Sequence, residues 1–297
     1  GRVMVLAHRK ELLEQNAEKI KSFLGRPVGI YSAGLRRYQT DESGVCAGIQ
    51  SMHRKAGLFG ARNLVLIDEA HLAPDDGEGM YQSFLNDLRT INPRLRIVGL
   101  TATPFRTGTG TLCGADKIFQ RICHETPVKP LIDAGWLSPL VSSPGDASVD
   151  TSRLHIKGGE FVANEAELMF GATVQAACRE IVSKCVGRKS IIVFCQGVRH
   201  AEQVTECLEN LTGEDIGLVT GSTSPIERST TLRLFRNQQL RIVVNVDVLT
   251  TGFDAPGIDA IAVLRATMSP GLFAQIVGRG LRISPTKQDC LVLDFGE

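Results

Sequence analysis

The sequence predicts an α/β protein with mostly parallel sheets, arranged in two halves. Three observations carry this. Short β-branched or aliphatic runs alternate with amphipathic segments, the pattern of parallel strands joined by crossover helices. That pattern lapses over a stretch rich in Pro, Gly and Ser, at about 126–164, and then resumes. The length, 297 residues, is enough for two domains that each bury a core.

In the first half, strands are expected at 3–7, 28–31, 45–49, 64–67 and 96–100. Helical spacing fills two of the gaps. The segment 11–23 brings Leu12, Ala17, Ile20 and Leu24 near one face, and 80–91 does the same with Phe84, Leu88 and Ile91. In the second half the strand candidates are 190–194, 216–219, 241–245, 260–264 and 290–294. The expected organisation is a first domain at 1–126, a linker at 127–165 and a second domain at 166–297. Two similar α/β halves suggest a ligand between them.

Composition narrows the function classes. Hydrophobic residues make up 43% and charged residues 22%, and no apolar run has the length that spans a bilayer, so a membrane span is excluded. A net charge of +1 gives no global attraction to nucleic acid, so any such binding must come from local groups. The eight cysteines are scattered without a Cys-x-x-Cys pair, which fits free thiols in a reducing cytoplasm. Cys113, Cys123 and His124 lie close in sequence, but two thiols and one imidazole at irregular spacing are a weak metal signal.

Chemistry gathers at the strand ends. The run 64–67 leads into Asp68-Glu69-Ala70-His71, placing two carboxylates and an imidazole where parallel sheets bind ligands. Adjacent carboxylates there suit magnesium on a nucleotide, one facing the hydrated metal and the other orienting a water. The run 97–100 ends in Thr101-Ala102-Thr103-Pro104, whose hydroxyls can hydrogen-bond the first site and sense its state. Alone, the acidic pair reads as a polar turn and the threonines as a cap; their pairing favours a site.

Two further segments carry candidates. Asn245-Val-Asp-Val-Leu-Thr-Thr-Gly-Phe-Asp-Ala-Pro256 is a strand end with a polar loop, in which Gly252 permits close backbone approach and Asp254 can accept hydrogen bonds from a ribose. Gln275, Arg279 and Arg282 are spaced to share one helix face, from which two arginines can stabilise charge on a transferring phosphoryl group.

In this order the pieces resemble superfamily 2 helicases and translocases of the DEAH type. Leu6-Ala7-His8-Arg9-Lys10-Glu11-Leu12 resembles motif Ia, Gly48-Ile49-Gln50-Ser51 motif Ic, Asp68-Glu69-Ala70-His71 motif II and Thr101-Ala102-Thr103-Pro104 motif III. The second half adds Ile192 to His200 as motif IV, Val219-Thr220-Gly221, the 245–256 loop as motif V and the 275–282 segment as motif VI. Over 99–106, 248–256 and 275–282 the chain resembles the bacterial RadD-like DNA repair ATPases and the related motors of type I and III restriction enzymes.

The resemblance implies two RecA-like domains with ATP in the cleft and DNA as partner, contacted through its backbone without sequence preference. It implies that Asp68 works with magnesium, that Glu69 orients the attacking water and that His71, Thr101 and Thr103 couple hydrolysis to strand binding. Arg279 and Arg282 would reach the phosphates, and Gly252, Asp254 and Gln275 would touch nucleotide. Arg9, Ser51, Thr220 and Thr250 are the candidates for phosphate-backbone contact.

One departure accompanies the match. The family's Gly-x-x-x-x-Gly-Lys-Ser/Thr string occurs nowhere in the chain. The chain is therefore expected to be a fragment whose first domain lacks its N-terminal strand and P-loop, and to hydrolyse little ATP by itself. Two alternatives stay open: a catalytically dead nucleic-acid-binding scaffold, and an RNA helicase.

Overall fold

Strand and helix periodicities resolve into two α/β units in a computed structural model, which describes residues 1–8, 10–74, 79–106, 110–157, 160–250 and 253–296, without the side chains of Lys10, Glu11 and Arg106. The units are Gly1–Glu125 and Thr126–Glu297.

Unit 1 runs β1 (Val3–Ala7), α1 (Lys10–Leu24), β2 (Val28–Ser32), β3 (Arg37–Tyr38), β4 (Gly44–Gly48), α2 (Ile49–Met52), β5 (Leu64–Asp68), α3 (Met80–Ile91), β6 (Arg96–Leu100) and a hairpin of β7 (Phe105–Arg106) and β8 (Gly110–Thr111). Its main sheet has the order β3-β2-β4-β1-β5-β6, parallel except for β2 against β3. Alternation along the strands divides the core in two. Val65 and Ile67 pack with Met4, Leu6, Phe84 and Leu88 on one face. Leu66 packs with Val5, Ala7, Leu13 and Ala17 on the other. Each fully buried Leu or Phe of this kind contributes about 1.5–3 kcal/mol.

Unit 2 runs α4 (Val128–Asp133), β9 (Leu140–Val149), a hairpin of β10 (Ile156–Lys157) and β11 (Glu160–Phe161), α5 (Ala163–Lys184), β12 (Ile191–Cys195), α6 (Val198–Thr212), β13 (Ile216–Val219), α7 (Pro225–Arg236), β14 (Ile242–Asn245), β15 (Ala260–Leu264), α8 (Pro270–Gly278) and β16 (Cys290–Gly296). Its sheet has the order β13-β14-β12-β15-β16-β9, all parallel. Strands β12, β14 and β15 are buried along their whole length, which is why they read as continuous apolar runs. Successive residues feed opposite cores: Val193, Val244 and Ala262 enter one, Ile192, Val243 and Ile261 the other.

Two segments differ from the sequence reading. The stretch 127–165, read as a linker, contains α4 and the ten-residue strand β9. Strand β9 lies at the sheet edge with most positions partly or fully exposed, so its Ser142-Ser143-Pro144-Gly145-Asp146 run escapes a hydrophobic pattern, and an edge tolerates Pro144. The helix expected to carry Gln275, Arg279 and Arg282 together ends at Gly278. Beyond it Arg279, Gly280 and Leu281 each bond three residues back, so the chain tightens and Arg282 leaves the helix face. Gly280 is required there, because a Cβ would stand 2.5 Å from Cys290 Sγ.

Trp136 follows α4 and is 71% exposed, while Ser138 N–H donates to the Leu281 carbonyl at 2.7 Å. Among the described residues no helix is long and apolar enough to cross a membrane.

Candidate functional site

In unit 1 the acidic pair closes β5, whose partner β6 brings Leu100 opposite Asp68. The two strand tips therefore stand side by side, and their side chains meet. Asp68 Oδ2 accepts from Asn16 Nδ2 at 2.9 Å and Oδ1 accepts from Glu69 N–H at 3.1 Å. Glu69 turns the chain with φ 50°, a left-handed conformation unusual for a residue with a side chain. Its Oε2 lies 3.5 Å from His71 Nδ1. His71 Nδ1 is also 3.0 Å from Thr101 Oγ1. That hydroxyl donates to the Thr103 carbonyl at 3.0 Å and accepts the Thr103 N–H at 3.1 Å. With the Thr101 hydroxyl proton directed to the Thr103 carbonyl, His71 Nδ1 stands between that hydroxyl and the Glu69 carboxylate. Gly99 allows the strands to close up: a Cβ there would stand 2.6 Å from the Phe119 ring and 2.7 Å from Ala70 Cβ.

Beside the same tips, His8, directly after β1, sets its ring 5.3 Å from that of Tyr81 at a tilt of 57°, and burial lowers its pKa. Burial also pushes the Cys46 thiol up to about 12, with the Asp68 charge adding to the effect. Ser51, in α2, accepts the Ala33 N–H at 3.0 Å and so ties its helix to the loop after β2. Arg9 lies outside the described residues.

In unit 2, Arg279, Arg282, Thr250 and Asp254 converge on the loop after β14. Arg279 Nη1 donates to the Phe253 carbonyl at 2.5 Å, and its Nη2 donates to the Thr250 carbonyl. Arg282 forms an ion pair with Asp254, and burial lowers the Arg282 pKa. The Thr250 hydroxyl donates to the Asp247 carbonyl at 3.1 Å, and Asp247, also at positive φ, pairs with Arg265. Gln275 is half-buried on α8. Thr220, at the tip of β13, is buried, and its hydroxyl is 2.8 Å from that of Ser222. Gly252 lies outside the described residues.

Residues 1–106 match the family described as Type III restriction enzyme, res subunit, and residues 173–284 match the Helicase conserved C-terminal domain. Between them they account for both sets of strand tips. The chain belongs to the superfamily 2 helicase and restriction-motor family. A Schizosaccharomyces pombe protein bearing the name mitochondrial ATP-dependent helicase irc3 is 29% identical over 98% of the chain and 48% of its own length. The Type I restriction enzyme EcoKI endonuclease subunit of Escherichia coli is 28% identical over 74% of the chain and 22% of its own length. A solved HsdR subunit fragment of a type I restriction enzyme from Vibrio vulnificus shares the fold of this superfamily 2 chain, with a TM-score of 0.71, 22% identity, and coverage of 99% of the chain and 52% of its own. The units are thus tandem RecA-like domains. The chain spans about half the length of irc3.

Two contacts of this superfamily 2 chain carry no sequence signal. Asn16, which reaches Asp68, sits at an ordinary half-buried helix position. Arg236, at the end of α7, donates Nε–H to the Asp254 carbonyl at 2.9 Å and places its guanidinium 5.2 Å from the Phe253 ring centre. Its position as the last residue of an amphipathic helix reads as ordinary charge on a helix terminus.

Proposed function

We propose that this chain is the motor part of a DNA-dependent ATPase that moves along its substrate, with its phosphate-binding loop supplied by residues outside these 297. One observation carries the reading: the carboxylates of Asp68 and Glu69 end β5, and His71 bonds Thr101 at the tip of β6.

The donor set fits a hard cation, since Asp68 offers carboxylate oxygens that keep free lone pairs beside their two donors. It does not complete a triphosphate cradle, because no P-loop lysine is in the sequence. Magnesium-ATP, when bound, supplies the phosphoryl group and the charge that the site stabilises. Asp68 would hold the metal. Glu69, beside His71, would accept a hydrogen bond from the attacking water and so orient it. His71 passes the state of Glu69 to Thr101 and Thr103, so the strand tip that precedes the nucleic-acid face senses it. In unit 2, Arg279 holds the Thr250 and Phe253 carbonyls, and Arg282, paired with Asp254, would supply the cation for phosphate, with Asp254 and Gln275 as the residues that would hold nucleotide. Ser51, Thr220 and Thr250, with Arg9 and Gly252, complete the backbone-contacting and nucleotide-contacting set.

The edge of β6 supports the position of the missing loop. It pairs only with β5 among the described residues, and Leu100 is 51% exposed on an otherwise apolar strand. Such an edge favours a further parallel strand. DNA is favoured over RNA by the likeness to restriction-enzyme motors over 1–106. The eight thiols are free, and we place the protein in a reducing, cytoplasm-like compartment.

The test is ATP hydrolysis with magnesium, with and without single-stranded DNA, duplex DNA and RNA, for this chain and for one extended by a P-loop strand and helix, each beside Glu69→Gln. The extended chain turns over with DNA and loses turnover with Glu69→Gln, while the 297-residue chain is silent. DNA-stimulated turnover by the 297 residues themselves overturns the external loop. DNA binding without turnover by the extended chain favours a scaffold, and stimulation by RNA alone overturns the DNA reading.

A further inference from the structure

Asn16 donates Nδ2–H to Asp68 Oδ2 at 2.9 Å, while the other oxygen takes the Glu69 N–H at 3.1 Å. The amide is delivered by a packed element rather than a loop. On α1, Leu13 and Ala17 are buried against Val5, Ala7, Ile30 and Cys46, and Asn16 stands three residues from the first and one from the second on the same sheet-facing side. The carboxylate that ends β5 is therefore gripped from two directions, by a side chain on α1 and by its own following peptide. Each carboxylate oxygen has two lone-pair sites and, among the described residues, each receives one donor, so one direction per oxygen stays open to a ligand. Both donors to Asp68 among the described residues are neutral, so neither offsets its charge, the condition in which a carboxylate attracts a hard divalent cation.

We infer that Asn16 is a positioning residue that fixes the Asp68 carboxylate so that its open lone pairs face magnesium. The inference rests on the reading of Asp68 as the metal-side carboxylate. The contact calls for a neutral donor of this length. A leucine has the same branching and leaves Oδ2 without its donor, whereas an aspartate brings a second carboxylate to the oxygen that Asn16 held.

The experiment titrates Mn2+, as the EPR-visible substitute for magnesium, into the 297-residue chain and its Asn16→Leu, Asn16→Asp and Asp68→Asn variants, with circular dichroism to verify folding. Outer-sphere changes at metal sites cost about 10–100-fold in affinity, so Asn16→Leu should weaken Mn2+ binding by about tenfold. Asn16→Asp should move it the other way, because paired carboxylates chelate, and Asp68→Asn should abolish it. Opposite shifts in two folded variants are not produced by a structural role alone. If Asp68→Asn loses the ion while both Asn16 variants bind as the parent does, the inference about Asn16 fails and the metal reading stands. If Asp68→Asn binds as the parent does, or the parent binds no ion at up to about 1 mM Mn2+, the metal reading fails and the inference falls with it.

Discussion

His71 Nδ1 lies 3.0 Å from Thr101 Oγ1, so the tip of one strand is hydrogen-bonded to the tip of its neighbour. The same hydroxyl serves the Thr103 peptide at both its carbonyl and its N–H, which makes it the node of the group. Thr101→Val keeps the shape and removes three hydrogen bonds. It should destabilise unit 1 by about 1–3 kcal/mol, read as a lower urea midpoint with unchanged slope.

Gly99 predicts a larger and purely steric effect. A Cβ at 2.6 Å from Phe119 and 2.7 Å from Ala70 cannot be relieved by a flexible chain end, since both neighbours are fixed in or against the sheet. Gly99→Ala should cost about 1–3 kcal/mol by overpacking and lower the melting temperature of unit 1.

Arg279 holds two carbonyls of the 250–253 loop with one planar fork. Lysine keeps the charge and loses the fork, so Arg279→Lys should behave nearly as Arg279→Ala. Both should speed amide exchange in the loop and cost about 1–3 kcal/mol, the range for leaving acceptors unpaired. Recovery of parental exchange rates in Arg279→Lys would show that charge alone suffices.

His200 gives unit 2 a pH dependence. The ring is fully buried, accepts the Gln196 N–H on Nδ1 at 3.3 Å, and has its pKa lowered by burial to about 4. The unfolded chain protonates this histidine below its ordinary value of 6.5, and the folded one does not until about 4, so the unfolded state binds more protons across that window. Stability should fall as pH drops from 6.5 toward 4, by up to about 3 kcal/mol from this group. His200→Gln should flatten the slope in urea titrations between those pH values.

How much of this was legible in the sequence depended on what each residue packs against. Strands β6, β13 and β15 lie where the apolar runs place them, because interior parallel strands and short edge runs of Ile, Val and Leu announce themselves. Strand β9 was hidden, since an edge strand is not held to alternate and its Ser and Pro looked like linker. The strand-tip grouping of Asp68, Glu69, His71 and Thr101 was readable because each residue follows a strong run directly. Arg282 was misplaced on a helix because Gly278 and Gly280 break the turn that spacing alone would continue. Asn16 and Arg236 were invisible, because a contact across the fold leaves no period in the chain.

Trp136 is the chain's single tryptophan and faces solvent. Two residues on, Ser138 is bonded to the carbonyl of Leu281, which directly precedes Arg282. All indole emission therefore originates beside the segment that carries this arginine. A change in its colour or in its quenching by acrylamide is a label-free optical signal from one place among these 297 residues.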